Sequence, residues 1–365
     1  MSIFDTQKNK TICVLPWVHE FKTIDGKTGP CCYGDTLRQG ESMETVRKEM
    51  LEGTQPRACA NCLRGESESG HSPRIRETLN WINKFGEPDV NNPHTQYLDI
   101  RYDPTCNLKC KTCNPNFSTL WQKEKNIKIL PNDKNKEYLS AVNKKAIKKI
   151  YLAGGEPTYI KEYLVFLNEL HQVNPSCEVI INTNLKRLSY DWKKIMSKFN
   201  NLTVTCSCDA IEDLGTYVRY PLKWTDFVDN VQWVSDNVNF LQFNLVASNL
   251  TTHRLYETCS WMKQYSKHIT LSVLSVPECF TERAVPIEQR NTYINNISKL
   301  LKFPISADHA HDFRSKITYL IKKYKETPYS EILHRRLDEE IQSQDRHRTL
   351  QLQDVDRFLT SWVQK

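Results

Sequence analysis

The chain has 365 residues, 39% hydrophobic and 10% aromatic, which is enough apolar material for a sizeable core and excludes a disordered chain. Thirteen cysteines without an export pattern read as metal or redox ligands instead of disulfides, so the expected compartment is cytoplasmic. The formal charge of +7 points weakly to an acidic partner, and no apolar run approaches the length of a membrane helix.

Residues 1–80 are loop-rich and poor in long periodic segments. One helix stands out over 41–51, with Ser42 and Glu44 near its start and Gly53 just past its end. Cys13, Gly26 and Cys31 follow C-x12-G-x4-C, and Cys59 and Cys62 add C-x2-C. Four thiolates close either an iron–sulfur cubane or a structural zinc site. Cys32, next to Cys31, is a substitute ligand, although the glycine spacing favours Cys31. Residues 66–74 are polar and breaker-rich and read as a solvated connection; the alternative is that Glu66, Ser72 and Arg74 line a substrate mouth.

From about Tyr97 the pattern alternates. Strands are expected over 97–102, 149–153, 178–182, 202–208, 241–247 and 269–276. Helices are expected around 117–128, 162–173, 192–199, 227–237 and 255–265. Six β-α repeats in order imply parallel strands with right-handed crossovers, in an open doubly wound sheet or a barrel. Functional residues in such folds gather at the carboxyl ends of the strands. There the sequence supplies a cysteine loop, Gly154-Gly155-Glu156-Pro157, Asn182-Thr183-Asn184, Ser207-Cys208-Asp209 and Ser248-Asn249. Nine lysines between 123 and 149 face only three acids, most of the net charge; a solvated connection is preferred there over a nucleic-acid contact. Beyond about Pro286 the chain reads as helical, and His309 and His311 as a polar helix start, with a metal site as the alternative.

The cysteine loop is Cys106, Cys110 and Cys113 at C-x3-C-x2-C, directly after the 97–102 strand. Cubanes normally take four thiolates, so three leave one iron open. Zinc is the competing reading, but it wants four ligands, and no fourth cysteine or histidine lies nearby in sequence. On these motifs the sequence resembles the radical S-adenosylmethionine (SAM) superfamily over about residues 96–280. The resemblance implies that the three cysteines hold a [4Fe–4S] cluster whose open iron binds SAM. It further implies one-electron cleavage of SAM to a 5′-deoxyadenosyl radical that abstracts hydrogen from a substrate, and an electron donor of flavodoxin or ferredoxin type. The protein would supply geometry and exclusion of water.

By the same resemblance Gly154, Gly155, Glu156 and Pro157 meet the SAM amino group; alone, they would read as a turn. Ser207 and Asp209 match the family's S-x-D-G, with Ala210 in place of the glycine. Arg219, twelve residues after Ser207, is placed to grip the SAM carboxylate; a surface ion pair is the alternative. Asn184 and Asn249 are candidates for ribose or adenine contacts and equally for backbone caps. Cys177, Cys206 and Cys259 read as buried small hydrophobes, with Cys208 and Cys279 nearer the substrate end. The N-terminal cysteines resemble the SPASM/twitch auxiliary-cluster motif, here ahead of the core.

The expected architecture is a partial (β/α)6 TIM-like barrel over 95–285, an auxiliary iron–sulfur module over 1–80 and a helical C-terminal extension over 286–365. The expected substrate is a peptide or protein, or a small molecule. Only twelve residues precede Cys13, too few for an in-chain leader-peptide domain, which leaves a protein substrate to a separate partner. The contrasting reading is a non-catalytic, zinc-stapled module that binds nucleic acid or protein.

Overall fold

The computed structural model describes residues 2–69, 72–129, 133–346 and 348–363. Gly70 and His71, in the expected connection, lie outside the described residues. Eight strands are present: β1 His19–Lys22, β2 Thr28–Gly29, β3 Tyr97–Arg101, β4 Lys149–Ala153, β5 Glu178–Thr183, β6 Leu202–Ser207, β7 Phe240–Ala247 and β8 Ile269–Val273. β3 to β8 match the six strands expected from the sequence. The chain divides into two compact units. One runs to Thr105 and adds Lys128–Ile181 and Asp191–Leu202; the other holds Cys106–Ile127, Asn182–Tyr190 and the remainder from Thr203.

In the first unit the strand order is β2-β1-β3-β4-β5. β1 pairs antiparallel with β2 and parallel with β3, and β3, β4 and β5 continue in parallel. The register sets Leu98 against Ile150 and Ile100 against Leu152, and all four are fully buried. Burial of each such aliphatic side chain contributes roughly 1.5–3 kcal/mol. The alternate positions, Asp99, Arg101 and Tyr151, are polar and lie on the opposite face of the strands.

A separate apolar cluster organises the N-terminal residues: Phe4, Ile12, Val14, Leu15, Trp17, Val18, Val46, Met50, Trp81 and Tyr97. The helix Met43–Leu51 contributes Val46 and Met50, and Ser42 caps it by accepting from the Thr45 amide at 3.1 Å. The expected loop-rich connection is instead helical at both ends, Ala60–Ser69 and Pro73–Phe85. The reason is local. Ser72 caps the second helix by accepting from Ile75 N, and Pro73 occupies its first turn, where a missing N–H costs nothing.

In the second unit β6, β7 and β8 run parallel, with Phe243 opposite Cys206 and Ile269. β7 alternates strictly, burying Leu241, Phe243, Leu245 and Ala247. The C-terminal residues are helical as expected. Ala307–Glu326 buries Phe313, Ile317, Leu320 and Tyr324, a helical stripe, and Glu331–Asp345 buries Leu333, Leu337 and Ile341. His309 and His311 fall in the first turns of the former helix. Among the described residues no helix is long and apolar enough to cross a membrane.

Candidate metal centres

In the first unit four cysteines line one cavity. Cys13 precedes the short helix Leu15–Val18, Cys31 follows β2, Cys59 ends the turn Arg57–Cys59 and Cys62 lies in the first turn of Ala60–Ser69. All four, with Met50 and Arg74, line the same pocket. Burial pushes the Cys13 and Cys59 thiols up to about 12, and neighbouring thiols add to the rise in both. Cys31 is raised by burial and then by Cys13, Cys62 and Cys59, so the four share one electrostatic field. Gly26 earns its place in the motif through its backbone. Its φ of 78° closes the β1–β2 turn, where Thr23 N donates to Lys27 O at 2.9 Å, and that hairpin delivers Cys31. Cys32 does not line the cavity; burial and then the neighbouring Asp99 charge raise its thiol.

Arg74 closes one wall of this cavity. Its guanidinium donates to both Glu66 oxygens, at 2.7 and 2.6 Å, and to Ile12 O at 2.6 Å, and it is 2% exposed. Ser72 also donates to Glu66. The expected solvated connection is thus corrected: Glu66, Ser72 and Arg74 form a buried brace of the four-cysteine pocket. A donor set of four thiols fits a metal centre with no open position. Among the described residues no three Cys, His, Asp or Glu groups converge at the spacing of one metal ion.

Also in the first unit is the turn after β4. Gly155 N donates to Asp103 O at 3.2 Å and Glu156 N to Thr105 O at 2.7 Å. A Cβ at Gly155 would overlap the Thr105 carbonyl and stand 2.8 Å from the Pro104 carbonyl carbon. The glycine is required for a close approach of the chain's own backbone, at the residue before Cys106. Glu156 is buried and caps the next turn by accepting from Thr158 N at 3.1 Å.

The three-cysteine loop belongs to the second unit and is held at several points. Lys109 N donates to Tyr220 O at 2.7 Å and Lys111 N to Val218 O at 2.8 Å. Trp121 Nε1 donates to Cys110 O at 3.0 Å. Around Cys106, Asn184 Nδ2 donates to Asn107 Oδ1 at 2.9 Å and lies 4.0 Å from the Cys106 sulfur. Burial raises the Cys110 thiol, while the guanidinium of Arg219 opposes that rise. Cys113 is pushed up to about 12, by burial and then by Cys110. Arg219 Nη1 donates to Asp209 Oδ2 at 2.7 Å, and Asp209 Oδ1 accepts from Val246 N at 3.0 Å. Arg219 Nε is buried without a partner, an N–H suited to one oxygen of an anionic ligand.

Other expected contacts are less open. Ser207 Oγ donates to Asn182 Oδ1 at 3.4 Å. Asn249 Nδ2 is committed to Cys279 O and Thr281 O, at 2.9 and 3.0 Å, which is the backbone-capping arrangement. Cys208 and Cys279 are both buried. Sequence reading passed over Asp99 and Arg101, which pair at 3.2 Å inside β3, with Arg101 over the Tyr151 ring at 5.1 Å. Two charges in a five-residue buried strand were a visible signal. Of the lysine-rich stretch, Lys144 pairs with Glu169, and Lys149 with Glu77 and Glu178.

Residues 101–297, more than half of the chain, match the model of the radical SAM superfamily. The chain belongs to that superfamily. A GTP 3′,8-cyclase of Nautilia profundicola is 33% identical over 211 residues, 57% of this chain and 64% of the cyclase. A GTP 3′,8-cyclase of Helicobacter pylori is 32% identical over 108 residues, 29% of this chain and 33% of the relative. The chain therefore spans less than two thirds of either. The solved structure of native anSMEcpe with bound AdoMet aligns with a TM-score of 0.40 and 15% identity, covering 56% of this chain and 59% of that one. Membership makes this radical SAM protein an enzyme whose cofactors are a [4Fe–4S] cluster and SAM. Its mostly parallel strands alternating with helices are in keeping with the partial TIM-like fold of the family.

Proposed function

We propose that Cys106, Cys110 and Cys113 hold the [4Fe–4S] cluster, and that Cys13, Cys31, Cys59 and Cys62 hold a second, fully ligated one in a twitch-like module spanning about residues 1–80. The observation that carries the reading is the family match across a loop in which Cys110 and Cys113 lie in the field of Arg219. When bound, the first cluster and SAM together supply one-electron cleavage to a 5′-deoxyadenosyl radical, which takes hydrogen from a substrate. The chain's own residues do the rest. Asp209 orients Arg219, whose unpartnered Nε is offered to the SAM carboxylate. Asn184 fixes Asn107 and so the first turn of the cysteine loop. Asn107, Leu108 and Lys111 are buried within the loop, which limits water around it.

A radical SAM core in the same chain favours a cluster over zinc at the four-thiol pocket. Of the two substrate classes, the likeness to GTP 3′,8-cyclases favours a small molecule, of nucleotide type, over a peptide or protein. Anaerobic purification tests the reading. About eight irons and eight sulfides per chain are expected, with 5′-deoxyadenosine released from SAM under dithionite. Zinc without iron, and no nucleoside, would overturn it. Anaerobic equilibrium dialysis with GTP tests the substrate class, and saturable retention is expected.

A further inference from the structure

Against the cysteine loop lies a buried arginine that none of the family motifs includes. Arg348 follows the helix Glu331–Asp345 and is 6% exposed. Its Nη2 donates to Lys109 O at 3.1 Å, while Nε and Nη1 are buried without partners. The guanidinium carbon lies 5.5 Å from the Trp121 ring centre and 5.2 Å from that of Tyr220. Those two residues are the ones that brace the loop, through Cys110 O and Lys109 N. The guanidinium is thus clamped by its neighbours and by the loop's own backbone.

The carboxylates whose field favours its charge, Glu124 and Asp345, are bonded to other groups. Glu124 is taken by Lys109, and Asp345 by Lys111 and the Tyr217 hydroxyl. Among the described residues no carboxylate forms an ion pair with Arg348. A buried guanidinium with two unpartnered nitrogens and no direct ion pair is costly unless an anion completes it. Glu124 and Asp345 favour its charged form most, though each is bonded to a lysine, and Cys110 adds to them. A thiolate-ligated cluster is such an anion, and it becomes more negative on taking up an electron.

We propose that Arg348 is a positioning residue of the three-cysteine centre, holding a fixed positive charge and two N–H donors beside Cys110 so that the centre accepts an electron more readily. The inference rests on the reading that Cys106, Cys110 and Cys113 hold the cluster. The electron comes from an external low-potential one-electron reductant, and no proton need move. Charge and hydrogen bonding around cluster sulfur are recognised determinants of cluster potential.

The test is an EPR-monitored redox titration of the anaerobically loaded full chain, following the reduced signal that changes when SAM is added. Arg348→Gln should keep its iron and show about a tenfold higher oxidised-to-reduced ratio at a fixed potential, a shift of about 59 mV for one electron. Arg348→Lys, which keeps the charge and loses the fork, should recover most of that shift. Arg348→Gln with full iron and an unchanged midpoint would overturn the proposal. If Arg348→Gln loses iron, the lysine variant decides: a midpoint displaced by the full tenfold would show that charge is not the cause. A wild-type protein with no SAM-responsive signal would instead overturn the cluster assignment, and the proposal with it.

Discussion

Gly155 sits where one methyl group has no room, because the Thr105 and Pro104 carbonyls occupy the place of its Cβ. Neither neighbour is the end of a flexible side chain; both are backbone, and the next residue is Cys106. Gly155→Ala should therefore cost about 1–3 kcal/mol, the usual range for overpacking, and should lower iron loading at the three-cysteine loop. Chemical denaturation together with iron analysis checks both parts, and wild-type values in both would contradict the account. Arg74 makes a different kind of demand. Removing it strands Glu66, a largely buried carboxylate that accepts from both Arg74 and Ser72. Arg74→Met should destabilise the protein by about 3 kcal/mol, as loss of one partner from a buried pair does. A loss under about 1 kcal/mol in urea titrations would mean that Glu66 finds water instead.

At the scale of elements, the four-thiol module should reveal itself through pH. Free thiols ionise near 8.5, whereas burial and mutual repulsion hold Cys13 and Cys59 up to about 12. As pH rises above about 8.5, the unfolded chain loses these protons first, so stability of the metal-free protein is full below that value and falls as pH rises toward about 12. Denaturation midpoints of metal-free protein at neutral pH and at pH about 10 measure the drop, and Cys13→Ser should make it shallower. Iron uptake runs the other way, since binding requires thiolates and releases protons, so loading should improve with rising pH.

Elements also explain what was legible in the sequence. β3, β4 and β5 were readable because each is a run of apolar residues at alternate positions, bounded by turns. β1 and β2 were not, since four and two residues are too short to show a period, and their pairing depends on β3 lying alongside. The segment around Ser72 misled because serine and proline mark a helix start as readily as a loop. Cysteine spacings were readable because the ligand chemistry restricts them. Arg348 had no such restriction: nothing local distinguishes it from the other arginines near the C-terminus, and its meaning comes from Trp121 and Tyr220, more than a hundred residues away in the chain.

For the whole molecule, the decisive question is whether there are two centres with different tasks. Cys59 lies in the first compact unit and Cys110 in the second, so each substitution addresses its own donor set. A three-thiolate centre has no spare ligand, and loss of Cys110 leaves two; Cys110→Ala should abolish SAM cleavage outright. Loss of Cys59 leaves Cys13, Cys31 and Cys62 around their cavity, which Cys32 does not line. Cys59→Ala should therefore lose about half of the iron, four of the eight expected from two cubanes, and retain the spectral response to SAM. Iron analysis and EPR on the same preparations separate the outcomes. Unchanged iron in Cys59→Ala would remove the second centre, whereas a lost SAM response in that variant would show that the two sets of cysteines do not act independently.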